Sequence, residues 1–561
     1  MKKLQKLLLM TLFTALKLHA GTDTIFVNGF EASVVTPQQA ARFLTQATFG
    51  PTLQSVQEVE FSGFETWIDN QMIINPTYLR ADMEVIQQTG VNLLNPRLRL
   101  SWNAYVKAQD QLRQRIAFAL SEILVTAEAS GNNSIVGTSF YNDLLVENAF
   151  GNFRELLEKV TLSPMMGIYL SMRGNAKADP VANTRADENF AREIMQLFTV
   201  GLNMLNIDGS EQLDINEEAI ISYDINHVKE LARVFTGWTY ANANSWNFAS
   251  IDYFTPMEAY RNNLSEAQFH DFGQKSIVGS NGVNTVTILN ANLTPEEDLQ
   301  QALDTLFNHP NVGPFISKQL IQKLITSNPT PAYIQRVTTV FNNDGTGVRG
   351  NLAAVIKAIL LDIEARDESL AQNDRYGKLR EPVLKLTNLW RAYDVEFDFN
   401  GGNTGFGFIG INIAQSPYHA PHVFNFYSPN FVSNFIDDPS MLAPEFQLDS
   451  ESNLITYQNL LRSLTDRGIS GSTVSFRDVA LDGAPLRALL RESNSALLDN
   501  INLLLFYGAM PTNLYNLLDN LLVTYANDGG AANTATNAQL NTRIGRILYV
   551  AMSTPQYNIQ K

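Results

Sequence analysis

The chain has 561 residues, 45% of them hydrophobic and 17% charged, with a mean hydropathy of −0.10. Such a chain can bury a large core, which excludes wholesale disorder, and its length leaves room for two or three domains. It carries no Cys and a formal charge of −16, which excludes disulfides, thiolate metal sites, Cys nucleophiles and a lipid-modified N-terminal Cys, and sets nucleic acid and anionic lipid surfaces outside the expected partners, since both need a positive field.

At the N-terminus Lys2, Lys3 and Lys6 precede a short apolar run, Leu7 to Leu16, and Leu18-His19-Ala20 offers a small residue at its last position. This reads as a secretory signal cleaved after Ala20, with Lys17 slightly unusual in its place. The run is too short to span a bilayer, and no later segment has 18 consecutive apolar residues. The expected location is a Gram-negative periplasm or the exterior, and an exported chain without Cys must be stable without disulfide staples. Residues 22–35 (TDTIFVNGFEASVV) read as a short strand or extended arm.

Helical patterns then dominate. Thr36-Pro37 supplies an N-cap and a first-turn Pro for a helix that stops at Gly50-Pro51. Leu112, Ile116, Leu120 and Ile123 share one face of a helix that also carries Arg113, Arg115 and Glu122, and Leu144 to Val160 reads as another helix. Thr294-Pro295-Glu296-Glu297 is a capping box. Helices are expected at 315–326, 331–341 and 352–364, and strand signals are limited to Ile215–Ile221 and Thr285–Leu289. Between Phe397 and Phe435 Gly, Asn, Pro and aromatics take over, the texture of a long ordered loop region; helices resume after Ser452, interrupted at 527–537.

The expected fold is mostly α: a multi-helical body with a Gly/aromatic-rich loop region and at most a small β-hairpin. The divisions read as leader 1–20, extended arm 21–35, main helical domain 36–395, loop region 396–451 and a C-terminal helical segment 452–561 packed on the main body. One continuous body and two domains split near 396–440 both fit.

Several signatures of known chemistry fail. There is no Gly-x-Ser-x-Gly elbow, His-Glu-x-x-His or Walker loop. Gly405 to Gly410 satisfies G-x-G-x-x-G, but Asn400 to Asn403 precede it and Pro417 follows closely, so the strand-to-helix context of a dinucleotide loop is missing. Asn342 to Gly347 resembles a calcium loop in composition, yet the EF-hand frame puts Val340 at the first ligand position; a helix-connecting turn fits better.

Two polar constellations remain. In Asp187 to Thr199 (DENFAREIMQLFT), Asp187 can cap a helix, Glu188 and Arg192 can pair four apart, and Asn189, Glu193 and Gln196 form a second polar row. In Phe269 to Lys275 (FHDFGQK), an acid beside His270 and a nearby Lys could serve proton transfer or anion binding. Five His follow the leader, at 227, 270, 309, 419 and 422, and each reads first as structural; Pro421 prevents a regular helical pairing of His419 with His422. No metal site is assigned, and the sequence names no cofactor.

At these motifs the chain resembles the DUF1800 family, a large set of exported bacterial proteins whose biochemical role is not established. The resemblance covers nearly all of the chain after the leader. It is carried by Ala40–Pro51, Gln114–Glu122, Glu188–Glu193 with Gln196–Thr199, Arg233–Trp238, His270-Asp271 with Gly273 and Lys275, Ser327-Asn328-Pro329, Gly377–Pro382, Val423–Pro429 and Ala443–Phe446. His422 stands where related sequences more often have a small residue, which weakens a metal reading of His419 and His422. The family is commonly encoded beside an exported sulfatase/phosphatase-like protein, which the resemblance makes a candidate partner.

Two functions stay open. In the first, the protein is an exported enzyme acting on an envelope or extracellular substrate. Glu188, Glu193, His270 and Asp271 then supply acid–base catalysis, and Arg192, Lys275 and Arg380 hold an anionic group. In the second, it is a non-catalytic export or assembly partner of the co-encoded protein, and the charged blocks fix helix packing. A metal-dependent hydrolase using His270, Asp271 and His309 is a third reading.

Overall fold

The computed structural model describes residues 35–561 apart from 90–92, 129–131, 247–250, 262–267, 374, 398–408, 411, 435, 468 and 470–478. The leader, most of the 22–35 arm and most of the Gly405–Gly410 motif lie outside the described residues. The first described helix, Pro37–Ala47, starts as its sequence dictates: Thr36 Oγ1 accepts from Gln39 N–H at 3.2 Å and Gln39 Oε1 accepts from Thr36 N–H at 3.0 Å. A cap of this kind is worth about 1 kcal/mol. Thr294 and Glu297 build the same box ahead of Pro295–Asn308.

The chain is mostly α. Helices Val312–Leu324, Pro331–Asn342 and Leu352–Leu361 pack in succession, and Val312–Leu324 also packs on Gln111–Ser121. The helix expected over 144–160 is two, Asn132–Asn148 and Phe153–Thr161. The chain turns at Gly151, and the Asn152 side chain caps the second helix by accepting from Arg154 N–H at 2.9 Å.

The C-terminal helices do not stand apart. Asn494–Phe506 packs on both Pro37–Ala47 and Pro382–Ala392, and Glu451–Arg467 packs on Asn537–Met552. Residues 36–561 accordingly form one unit. The strand Ile559–Gln560 pairs antiparallel with Lys378–Leu379, and Gln560 Nε2 donates to Leu324 O at 2.7 Å. Trp102 and Trp390 meet edge to face at 5.2 Å in the core.

Strands among the described residues form only two-stranded antiparallel pairs. Val286–Leu289 pairs with Lys275–Val278. Residues 215–221 form no strand; 201–221 is a ribbon held by single bridges, Asn203 to Ile221, Leu205 to Glu211 and Leu213 to Ala219. Asp214 explains the interruption, because its Oδ1 accepts from the Asn216 and Glu218 amides and bends the chain there. Among the described residues no helix is long and apolar enough to cross a membrane.

Candidate functional site

The two expected polar constellations make separate sets of contacts. Glu188 and Arg192 pair at 3.2 Å on a partly exposed helix face. Asp187 does support the helix start, accepting from Asn189 N–H at 2.8 Å. Glu193 points inward: its Oε2 is buried without a hydrogen-bond partner among the described residues, and burial raises its pKa against the opposing pull of Arg192.

His270 and Lys275 meet around a third residue that the sequence did not single out. Asp298, fully buried on the Pro295–Asn308 helix, accepts from Lys275 Nζ and lies 2.9 Å from His270 Nε2. Asp271 instead turns outward to a two-pronged contact with Arg233, at 2.9 and 3.0 Å. Burial works against its charge, but the Arg233 guanidinium and the Gly273 amide outweigh it and hold the carboxyl down at about 2.

Arg380 belongs to neither group. It is buried with its guanidinium 4.8 Å from the Tyr557 ring, donating to Asn388 Oδ1 at 3.0 Å and to Leu505 O at 3.3 Å. It ties the Pro382–Ala392 helix to the C-terminal helices. His309 is buried, and burial pushes its pKa down to about 4. His419 lies 3.0 Å from Glu128, which also pairs with Arg97 at 2.6 Å. Among the described residues no three His, Asp or Glu side chains are grouped as a metal would require.

The structure gathers a different set. Six blocks that carry the family resemblance converge on one buried ionic cluster beside a cavity of about 350 Å³. Gln114–Glu122 brings Arg115 and Glu122, seven apart on one helical face. Gly377–Pro382 brings Lys378 and Glu381. Val423–Pro429 brings Tyr427, Ala443–Phe446 brings Glu445, and Ser327 comes from the Ser-Asn-Pro block. Gln196 reaches the cavity wall from the block that also holds Glu193.

Lys378 is the hub. Its ammonium is fully buried, 3.1 Å from Glu445 Oε1, 3.4 Å from Glu381 Oε1, and donates to Lys323 O at 2.9 Å. Glu381 is the N-cap residue of Pro382–Ala392 with Pro382 in the first turn. Its carboxylate therefore sits at the positive end of a helix dipole, and Gln415 Nε2 donates to it at 2.7 Å. Burial opposes its ionisation, yet Lys378, a hydrogen bond with the Glu122 carboxyl, Lys323 and Arg115 together draw its pKa below the usual carboxylate range.

Glu122 has the reverse environment. It ends the Gln111–Ser121 helix, at the negative end of that dipole, where a carboxylate is disfavoured. Burial and the charge of Glu381 raise its pKa well above the ordinary value, with Lys323 the main opposing influence. Tyr427 Oη donates to its Oε1 at 3.2 Å. Its Oε2 is buried 3.8 Å from Lys323 Nζ and receives no hydrogen bond from a donor among the described residues, while the Glu122 and Glu381 carboxyls hydrogen-bond to each other.

The cavity wall follows from helical spacing. Phe315, Lys318, Gln319, Gln322 and Lys323 recur at three- and four-residue intervals on the Val312–Leu324 helix and present one face to it. Opposite, the helix begun at Asn189 widens into a π turn over Ile194–Thr199, with Val200 N–H donating to Met195 O, and Gln196 and Leu197 line the cavity there. Single π turns inside helices recur at functional sites. The ribbon at 201–211 and the loop at 423–430 complete the wall.

None of Glu188, Arg192, Glu193, His270, Asp271, Lys275 or Arg380 lines this cavity. The readable signal for the cluster was charge on a helix that also carries a full apolar face: Arg113, Arg115 and Glu122 are all buried. The sequence alone could not say that the opposite face is covered too.

A family model described as "Protein of unknown function (DUF1800)" matches residues 42–559. No protein of curated function and no solved structure matches the chain. With a match over nearly its whole length, the chain belongs to the DUF1800 family.

Proposed function

We propose that this protein is an exported acid–base enzyme whose centre is the cavity at Glu122, acting on a polar envelope or extracellular substrate. One observation carries the reading. Glu122 and Glu381 belong to one buried cluster whose surroundings drive their ionisation apart, Glu122 toward the neutral acid and Glu381 toward the carboxylate. Carboxyl pairs split in this way assign an acid and a charge-stabilising partner. Glu122 would donate its carboxyl proton to the leaving oxygen of the substrate, whose bond breaks as a water attacks the atom it leaves and passes its own proton to solvent. Lys323, 4.0 Å from the Tyr427 ring centroid, would stabilise the carboxylate that results. This gives the acid role to Glu122 and leaves Glu188, Glu193, His270 and Asp271 to supporting positions.

Export and a periplasmic or external location are part of the proposal, supported by Lys2, Lys3 and Lys6 ahead of the Leu7–Leu16 run. N-terminal sequencing of the mature protein should begin at Gly21. The acidic balance of the chain supports a substrate other than nucleic acid.

The test is release of soluble products from purified envelope and extracellular polymers, followed by mass spectrometry. Wild type should release product and Glu122→Gln should not, with both folded by circular dichroism. Equal release by the variant removes Glu122 from the chemistry. A second reading, assembly partner of the co-encoded sulfatase/phosphatase-like protein, is favoured by the internal pairing of Lys378 with Glu381 and Glu445. No release from any polymer together with co-purification of that protein would establish it instead.

A further inference from the structure

We propose that the Glu122 cavity and its neighbour form one groove that binds an anionic oligosaccharide, with the acidic group of the ligand on Lys318. This names the substrate class of the centre proposed above and rests on that reading for its chemistry, while the binding claim has its own geometry. The neighbouring cavity has a volume of about 560 Å³ and lies against Asn328, Asn373, Arg375 and Tyr376. Gly209, Lys318 and Leu442 line both spaces. Each is large enough for one small polar unit, and a ligand occupying both is a chain of such units.

The charge at the junction identifies the ligand's sign. Three acids along the groove accept hydrogen bonds from uncharged groups of the chain: Glu211 from Asn203 Nδ2 at 2.7 Å, Asp208 from the Ser210 hydroxyl at 2.6 Å, and Glu364 from Thr330 N–H at 3.1 Å. Lys318 makes no hydrogen bond or ion pair among the described residues. It is half-buried between the two spaces, and burial lowers its pKa against the pull of Glu211. An anion placed there relieves a desolvated ammonium, which is worth more than the same contact at an exposed lysine.

The remaining unsatisfied atoms identify a polyhydroxylated ligand. Glu122 Oε2 and Gln319 Nε2 are buried beside the same cavity, and among the described residues no donor reaches the first and no acceptor the second. A hydroxyl group both donates and accepts, so neighbouring sugar hydroxyls can satisfy a carboxyl oxygen and an amide nitrogen together. Phe424, partly exposed, adds ring surface for the apolar face of a sugar. An extended peptide is bound best along an unpaired strand edge. The ribbon along this groove instead turns its backbone onto itself, as in the Gln212 N–H to Met204 O and Ile220 N–H to Gln212 O bonds.

The experiment is titration calorimetry of the full mature chain with hexamers of galacturonate, of alginate and of hyaluronan. A neutral cello-hexaose, the galacturonate monomer and a poly-glutamate hexapeptide serve as controls. At least one acidic hexamer should bind tenfold or more tightly than the neutral hexamer, the monomer and the peptide, and added salt should weaken it. Lys318→Gln should lose tenfold or more, and Lys318→Arg should restore most of it. Equal affinity for the neutral hexamer overturns the assignment, as do preference for the peptide, undiminished binding by Lys318→Gln, or no binding by any acidic hexamer. Retained turnover in Glu122→Gln alongside Lys318-dependent binding would overturn the acid role and leave the ligand class standing.

Discussion

Tyr427 donates its hydroxyl to Glu122 Oε1 at 3.2 Å across more than half the chain. That bond joins the end of an early helix to a late loop and occupies one oxygen of Glu122. It also fixes the loop, because Tyr427 is fully buried between Lys323 and the carboxyl cluster. The cavity wall and the acid are thus held by the same contact.

Glu122 should tune stability against pH in a definite direction. Its pKa is raised in the fold, so from about pH 4.5 upward the unfolded chain releases a proton that the native state retains. The native state then binds more protons than the unfolded one, and stability falls as pH rises through that window. Glu122→Gln removes this dependence. The melting temperature of the variant relative to wild type should therefore climb between pH 5 and pH 8. A constant difference across that range contradicts the raised pKa.

Lys378 should be among the least replaceable residues. Its removal leaves Glu381 and Glu445 buried without their shared cation. Lys378→Met is expected to cost about 3–5 kcal/mol in urea unfolding, the range for breaking a buried pair from one side. Adding Glu381→Gln and Glu445→Gln removes the stranded charges, and the triple variant should recover part of that loss. A single variant within about 1 kcal/mol of wild type would mean that water reaches the cluster freely.

The His270–Asp298–Lys275 group predicts a structural phenotype. Asp298→Asn strands Lys275, whose ammonium is otherwise held by the Asp271 carbonyl at 2.5 Å and the Gly273 carbonyl at 3.1 Å. A loss of about 3 kcal/mol or more in stability is expected. Asp271 acts in a different pH range. Its pKa is lowered, so its contribution is complete above the unfolded carboxyl value and disappears as pH falls toward about 2. Asp271→Asn should be less stable than wild type at pH 6, and the gap should close in acid denaturation profiles as pH approaches that value.

Gly377 should reject a side chain. Its φ of +116° is outside the range L residues favour, and a Cβ there would run into the Gln560 carbonyl of the paired strand. Gly377→Ala is expected to destabilise by more than about 1 kcal/mol and to raise amide exchange at Ile559 and Gln560. Unchanged exchange there would show that the strand pair does not depend on the close approach.

The local parts of this fold were legible because their causes are local. Thr36 and Thr294 caps, the Pro-started helices and the Glu188–Arg192 pair each depend on residues within four positions of one another. The break at Gly151 was not legible, since the apolar pattern runs through it and Asn152 reveals itself only as the cap of the next helix. The site was partly legible: the blocks containing Glu122, Glu381, Tyr427 and Glu445 were all recognisable, but not their convergence.

What the sequence determined by itself is the class of fold, the family and the charge of the chain, all of which follow from composition, periodicity and ordered motifs. Only the tertiary structure decided which charges share an environment. Asp298 and Lys323 look like ordinary helix-surface residues until other helices cover them. Glu122 and Glu381 look alike until burial and their neighbours separate them. Ionisation depends on solvent exclusion and on charges a few ångströms away, and residues hundreds of positions apart in the chain supply both.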